Sequence, residues 1–121
     1  MKKTLKIGIA TRDAIVRYTR EIVAGRRRRS AADPDIWFTS VESFAKVLSE
    51  RNRVLLALIA ERRPDSIDAL AEASGRAKGN LSRTLATMAR YGLVRLEKGQ
   101  GRKLRPVVTF EKVELRLNVA A

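Results

Sequence analysis

The stretch SGRAKGNLSRTLATMARYGLVRLEKGQGRKLRP, residues 74–106, decides the predicted fold. It contains three apolar residues at helical spacing, namely Leu81, Leu85 and Met88. That spacing predicts a helix over 78–90, and Gly92 is of the residue type that commonly ends one. A second helix is predicted over 67–73, and Gly75 lies in the short turn between the two.

Two alternating runs follow the second of these helices and predict a β-hairpin. They cover residues 93–97 and 102–110, and residues 98–101, with the sequence Lys-Gly-Gln-Gly, join them. Pro106 lacks a backbone donor, so the second strand is expected to be an edge strand or to carry a bulge. Helix, Gly-containing turn, helix and hairpin, in that order, predict a winged helix-turn-helix.

The rest of the chain predicts further helices and two terminal strands. Alternation of apolar and other residues predicts strands over 4–10 and 112–119. Apolar periodicity predicts three helices, over 11–24, about 40–49 and 52–61. Pro64 is expected to end the last of them, and residues 31–38 are expected to form a loop around Pro34.

The core is expected to draw on several of these segments. Trp37 and Phe38 are predicted to be core residues, and the inward positions of two helices are Val41, Phe44, Val47, Leu48, Val54, Leu55, Leu58 and Ile59. We therefore expect an α+β fold that is mostly α. Its predicted parts are an N-terminal strand-helix extension with a basic linker (1–37), a winged helix-turn-helix domain (38–110) and a C-terminal strand (111–121).

The charge of the chain indicates a polyanionic partner. Lysine and arginine number 26 against 13 acidic residues, which gives a formal net charge of +13. The excess lies in two blocks, since residues 1–30 and residues 76–105 each carry a net charge of +8. Nucleic acid is the leading predicted partner, and an anionic membrane and an acidic protein are the lesser alternatives. The run Arg26–Arg29 is either a solvated linker or a contact to phosphate.

The helix over 78–90 is amphipathic in a way that suits a DNA groove. Its apolar side faces the core, and the opposite side carries Arg, Asn and Thr, which can bond to base edges in the major groove. The hairpin adds basic side chains for the DNA backbone or minor groove. The candidate DNA-contacting residues are Ser66, Arg76, Lys78, Gly79, Asn80, Ser82, Arg83, Thr87, Arg90, Lys98, Gln100, Arg102, Lys103 and Arg105.

Residues 51–108 resemble the winged helix-turn-helix core of MarR-like and ArsR-like transcriptional regulators. The matching motifs are a Ser-Ile-x-x-Leu-Ala positioning helix at 66–71 and a Tyr-Gly-Leu-Val exit at 91–94. The whole chain is similar in layout to small prokaryotic DNA-binding regulators, some of which are antitoxin-like. The resemblance implies a DNA-binding regulator, more often a repressor than an activator.

Two departures from these families bear on ligands. The chain has no cysteine and no histidine, so the soft-metal sensing of ArsR-like proteins is excluded and no metal site is expected. MarR-like proteins have long flanking helices that enclose a ligand pocket, whereas this sequence predicts one N-terminal helix. No cofactor is therefore expected. Without a catalytic constellation or a phosphate-binding Gly loop of known spacing, the chain is not expected to be an enzyme.

The terminal strands each need a partner, within one chain or across two. We expect them, together with helix 11–24, to build the interface of a homodimer, because a single winged module recognises few base pairs. The alternative is a small sheet that covers the core of a monomer. The other functions kept open are an adaptor or antitoxin that binds an acidic, toxin-like partner, and an RNA- or ribosome-associated protein.

The sequence predicts a cytoplasmic protein without a membrane partner. Its longest apolar run, Val54–Ala60, is too short to cross a bilayer. The N-terminal apolar stretch is interrupted by Lys6 and followed at once by Arg12 and Asp13, unlike a signal peptide.

Overall fold

The computed structural model describes residues 4–119, and within them the fold is α+β and mostly helical, as predicted. The strands are β1 (Thr4–Ile9), β2 (Ile36–Phe38), β3 (Arg95–Lys98), β4 (Leu104–Val107) and β5 (Lys112–Arg116). The helices are α1 (Arg12–Val23), α2 (Val41–Val47), α3 (Glu50–Arg62), α4 (Ile67–Ser74) and α5 (Lys78–Tyr91). The strands form one three-stranded and one two-stranded sheet.

The chain divides into two compact units. The first comprises the residues up to Lys46 and those from Phe110 onwards, and the second comprises Val47–Thr109. Residues 38–46, which the sequence groups with the winged segment, thus lie in the first unit.

The first unit is built on a parallel sheet with the strand order β2-β1-β5. The two predicted terminal strands pair with each other inside one chain, with Ile7 opposite Leu115. This settles which of the two expected pairings the single chain adopts. β5 ends at Arg116, so the prediction that the strand continues to 119 is wrong. Arg116 lies opposite Gly8, near the end of β1.

The strand β2 was not predicted, because its three residues follow Pro34 and are too few to show an alternation. Its partner β1 defines it, with Ile36 opposite Ile7 and Phe38 opposite Ile9. Phe38 is fully buried, as predicted, and its ring meets the ring of Phe44 edge-on at 5.6 Å between centroids. The prediction of a loop is therefore wrong for 36–38.

Helix α1 begins and ends where its sequence signals predict. The Thr11 side chain accepts a hydrogen bond from the Ala14 amide at 3.2 Å, and Gly25 follows the helix with φ of 76°. On the inner side, the Tyr18 ring meets Trp37 edge-on at 5.5 Å between centroids. On the outer side Val23 is 83% exposed, so one of the apolar residues that make α1 periodic faces solvent.

The arginine run after α1 forms an ordered loop around two aspartates. Arg29 pairs with Asp35 at 2.8 Å, and Arg27 pairs with Asp33 at 3.4 Å while lying over the Tyr18 ring. The pKa of Asp33 is lowered, first by the hydrogen bond from the Ser30 amide and then by its Tyr18 and Arg27 contacts. Half of the run is thus used inside the unit.

The second unit has a core of aliphatic residues from all three of its helices. The buried set is Leu48, Leu55, Leu56, Ile59, Leu70, Leu81, Leu85, Met88, Leu93 and Val94. Each contributes roughly 1.5–3 kcal/mol when fully buried. α3 ends at Arg62. Its C-cap, Arg63, has a left-handed φ of 48°, and Pro64 follows and blocks continuation of the helix.

Two predicted core positions are wrong. Val54 is 63% exposed and Val41 is 40% exposed. Residues 54–60 are all apolar, so periodicity alone cannot select the inward face of α3. Packing selects Leu55, Leu56 and Ile59, which moves the buried stripe by one position.

The predicted hairpin strands are also longer than the observed ones. Leu93 and Val94 are buried but precede β3, and β4 covers four residues instead of 102–110. Pro106 lies opposite Leu96 in a two-stranded sheet, so β4 is an edge strand, one of the two predicted alternatives. Each helix within residues 4–119 falls short of the length and apolarity that a bilayer crossing requires.

We expect Gly8→Ala to destabilise the protein by about 1–3 kcal/mol through overpacking. A Cβ at Gly8 would lie 2.6 Å from Pro34 Cγ and 2.8 Å from Trp37 Cζ3. Urea unfolding measures the effect. The control is Gly79→Ala, where a Cβ meets no atom within 4 Å, and a Gly8→Ala protein as stable as this control would contradict the packing described.

Candidate functional site

A tight turn separates α4 from α5. Gly75 ends α4 with a left-handed φ of 73°, and its amide donates to the Ala71 carbonyl at 2.9 Å. Ala77 is the N-cap of α5 in extended conformation, and no side chain caps the amides of the first turn. The start of α5 therefore presents backbone donors to solvent.

The inner face of α5 anchors the helix. Leu81 and Leu85 are completely buried and Met88 is 1% exposed, as predicted. Because these three residues recur at helical spacing, the opposite side of the helix is turned outward.

The outer face of α5 carries polar and basic side chains. Gly79, Asn80, Arg83 and Arg90 are exposed, whereas Ser82 and Thr87 are half-buried. Within residues 4–119 the side chains of Asn80 and Arg83 form no hydrogen bond or ion pair. Arg90 donates to the Thr87 hydroxyl at a long 3.5 Å. The outer face thus offers unused donors and acceptors to a partner.

The hairpin formed by β3 and β4 is closed at its tip and partly neutralised at its base. The Gly99 amide donates to the Lys103 carbonyl at 2.8 Å. Glu97 pairs with Arg105 at 2.8 Å and with Arg95 at 3.5 Å, and the hydrogen bond from Arg105 is the main reason that the pKa of Glu97 is lowered.

The tip of the hairpin carries the unpaired basic charge. Lys98, Gln100, Arg102 and Lys103 are exposed. Within the described residues, Lys98 and Arg102 form no ion pair. The hairpin therefore keeps uncompensated charge at the end that projects from its base.

The acidic residue Asp68 in the first turn of α4 pairs with the first residue of α5. Lys78 pairs with Asp68 at 2.8 Å and is the main reason that the pKa of Asp68 is lowered; the charge of Lys103 contributes. A Cβ at Gly99 would lie 3.3 Å from the carbonyl oxygen of Asp65, just before α4. The hairpin tip and the first residue of α5 thus both lie near the start of α4.

Two of the predicted DNA-contacting residues lie elsewhere. Ser66 is 5% exposed, and its hydroxyl accepts from the Ala69 amide at 3.0 Å to cap α4. Arg76 is half-buried and donates to Asn52 and Thr84 inside the unit. Neither side chain is on the outer face of α5, because the Ser66 hydroxyl caps α4 and the Arg76 guanidinium bridges α3 and α5.

Four partners of predicted site residues could not be identified from helical periodicity: Glu97, Asp68, Asn52 and Thr84. Glu97 lies directly opposite Arg105 in the hairpin register, so the strand pairing would have indicated that contact. Asn52 and Thr84 have no such signal, because they are far from each other in sequence and meet only through Arg76.

The chemistry available in this region is that of anion binding. Its unused groups are guanidinium, ammonium, amide and backbone N–H donors. Among residues 4–119 no three acidic residues are grouped so that they could hold a metal ion.

The chain belongs to the family HVO_A0114, whose model matches residues 47–115, more than half of the sequence. The match begins at the first residue of the second unit and continues into β5. No curated protein and no solved structure matches the chain.

We expect Ser66→Ala to lower the free energy of unfolding by about 1 kcal/mol, because the α4 cap is lost. The control is Ser82→Ala, which removes a half-buried hydroxyl that makes no hydrogen bond within the described residues. Chemical denaturation compares the two. Equal stabilities of the two variants would show that the Ser66 hydroxyl does not cap the helix.

Proposed function

We propose that this protein is a sequence-specific transcriptional regulator, most simply a repressor, that binds double-stranded DNA through a winged helix-turn-helix. The observation that carries the proposal is the side-chain arrangement of α5. Its inner face is fully buried, while Asn80 and Arg83 on the other side are exposed and unpaired within the described residues.

In this proposal α5 lies in the major groove. An arginine pairs with guanine and an asparagine with adenine through bidentate bonds, each worth about 1–3 kcal/mol of discrimination. The missing side chain of Gly79, with no atom within 4 Å of a Cβ placed there, lets the start of the helix approach the duplex closely. The uncapped amides of the first turn then suit a phosphate, with Ser82 beside them.

The hairpin is assigned to the DNA backbone or the minor groove. Lys98, Arg102 and Lys103 carry its exposed charge, and Gln100 lies at its tip. Contacts of this kind strengthen binding to every sequence and make it depend on salt. The division of labour is therefore reading by α5 and anchoring by the hairpin.

The aromatic residues favour duplex DNA over single-stranded RNA. Proteins that bind single strands stack bases on exposed rings. All six aromatic side chains of this chain are buried or half-buried, and Tyr18 and Trp37 pack on each other. An exposed stacking surface is thus absent from the described residues.

We further propose that the regulator acts as a homodimer through its first unit. β5 is at the edge of its sheet, and Val16 and Val23 on α1 are 39% and 83% exposed. An unpaired edge and an apolar strip both suit a second copy of the chain. The same unit exposes Arg26 and Arg28, which would serve the alternative role of binding an acidic protein.

We expect Arg83→Ala and Lys103→Ala to have different effects on DNA binding. Arg83→Ala should cost about 1–3 kcal/mol on a duplex selected from a random pool and relax the preference at one base pair. Lys103→Ala should weaken binding to all duplexes alike and reduce the salt slope by about one unit. Fluorescence anisotropy over a salt series measures both.

The matched comparison is random duplex of the same length. Each variant loses one positive charge, so an effect of charge alone would lower the DNA affinity of both variants equally. If both lower the affinity for selected and random DNA by the same factor, the division between reading and anchoring is refuted.

We expect Glu97→Gln to strengthen binding to random duplex. The change frees Arg95 and Arg105 from their shared partner, so the salt slope should become steeper by about one to two units. Glu61→Gln on the exposed surface of α3 is the control, because it removes the same charge and Glu61 forms no ion pair within residues 4–119. Equal gains in the two variants would mean that net charge, not the hairpin, sets the affinity.

A further inference from the structure

Arg76 joins two helices that are separate in sequence. Its Nη1 donates to Asn52 Oδ1 on α3 at 3.2 Å, and its Nη2 donates to Thr84 Oγ1 on α5 at 3.3 Å. One guanidinium therefore bridges the first turn of α3 and the middle of α5.

Further hydrogen bonds hold both ends of this bridge. Asn52 Nδ2 donates to the Val47 carbonyl at 3.0 Å, which fixes the amide plane that Arg76 contacts. At the other end, the Arg76 amide donates to Ser74 Oγ at 3.3 Å, and that hydroxyl donates to the Ala71 carbonyl at 3.4 Å. The bridge is thus tied to the turn between α4 and α5 as well as to α3.

Stability alone is a poor explanation for a guanidinium at this position. Burial lowers the pKa of Arg76, and the nearby charge of Arg51 lowers it further. Arg76 Nε is buried and has no hydrogen-bond partner within the described residues. Buried donors without a partner, and charges brought near like charges, both oppose folding. A side chain that keeps such costs is more readily explained by the geometry it imposes.

The geometry concerns the rotation of α5 about its own axis. Thr84 lies one turn after Asn80 and one turn before Thr87, so the three share one flank of the helix. The buried residues anchor the helix in the core, but apolar contacts are non-directional and do not by themselves specify its exact rotation. The hydrogen bond from Arg76 to Thr84 is directional, so it restricts this rotation. It thereby fixes the direction in which Asn80, on the same flank, points.

We propose that Arg76 is a positioning residue, which holds α5 at the rotation where Asn80 and Arg83 both meet base edges while Arg76 itself does not touch DNA. This inference rests on the proposed function. It assigns to Arg76 a part in specificity and none in general affinity.

The test uses two variants of the full chain. Arg76→Lys keeps the charge but cannot bridge both acceptors, and Thr84→Val keeps the shape of the side chain but removes one acceptor. We expect each to lose about tenfold in affinity for the selected duplex. Binding to random duplex should stay within about twofold, with the salt slope unchanged. Circular dichroism at the same temperature establishes that each variant is folded.

Two further variants sharpen the test. The double variant should bind no more weakly than Arg76→Lys alone, because both changes break one bridge. Arg53→Lys, at an exposed position of α3 without a partner in the described residues, is the matched control and should bind like the native chain.

The outcomes separate this inference from the function on which it rests. If Arg76→Lys keeps the native preference for the selected duplex, the inference is overturned and the proposed function stands. A fifth variant, Arg76→Gln, removes the charge. Equal losses on selected and random DNA in Arg76→Gln, with a salt slope reduced by about one unit, would overturn the inference in favour of a direct phosphate contact. A native chain with no preference among duplexes would overturn the proposed function, and the inference with it.

Discussion

The burial of Leu81, Leu85 and Met88 is the contact on which the rest of the second unit depends. These side chains hold one face of α5 in an aliphatic core, and the helical repeat then turns the opposite face outward. Gly75 ends α4 and Gly92 ends α5, each in a left-handed conformation. The turn before α5 and the end of α5 are therefore fixed. The exposed positions of Asn80 and Arg83 are consequences of this packing.

Charge is distributed in the two units in different ways. In the first unit, Arg27 and Arg29 are paired with Asp33 and Asp35, so much of the arginine run serves the loop itself. In the second, exposed positive charge without an ion pair in the described residues lies on α3 as well as on α5 and the hairpin tip, and Glu97 neutralises only the hairpin base. Two arginines of the run thus have an internal use in the first unit, whereas most of the basic side chains on α5 and the hairpin tip are turned outward.

Features set by neighbouring residues could be predicted from the sequence, and features set by distant partners could not. The helix ends at Thr11, Gly75 and Gly92 are local, and so is the inward face of α5. β2 exists only because β1 lies beside it, and the buried face of α3 was ambiguous because residues 54–60 are all apolar. For the same reason, the exposed positions of the outer face of α5 could be predicted, whereas the internal use of Arg76 and Ser66 could not.

Nuclear magnetic resonance of the labelled protein, titrated with a duplex enriched from a random pool, tests the central claim most directly. If α5 reads the duplex, the amide and side-chain signals of Asn80 and Arg83 shift together with those of the hairpin tip. If the protein binds as a homodimer, saturation should occur at two chains for each duplex. Shifts confined to residues 12–29, with the signals of α5 unchanged, would contradict the account.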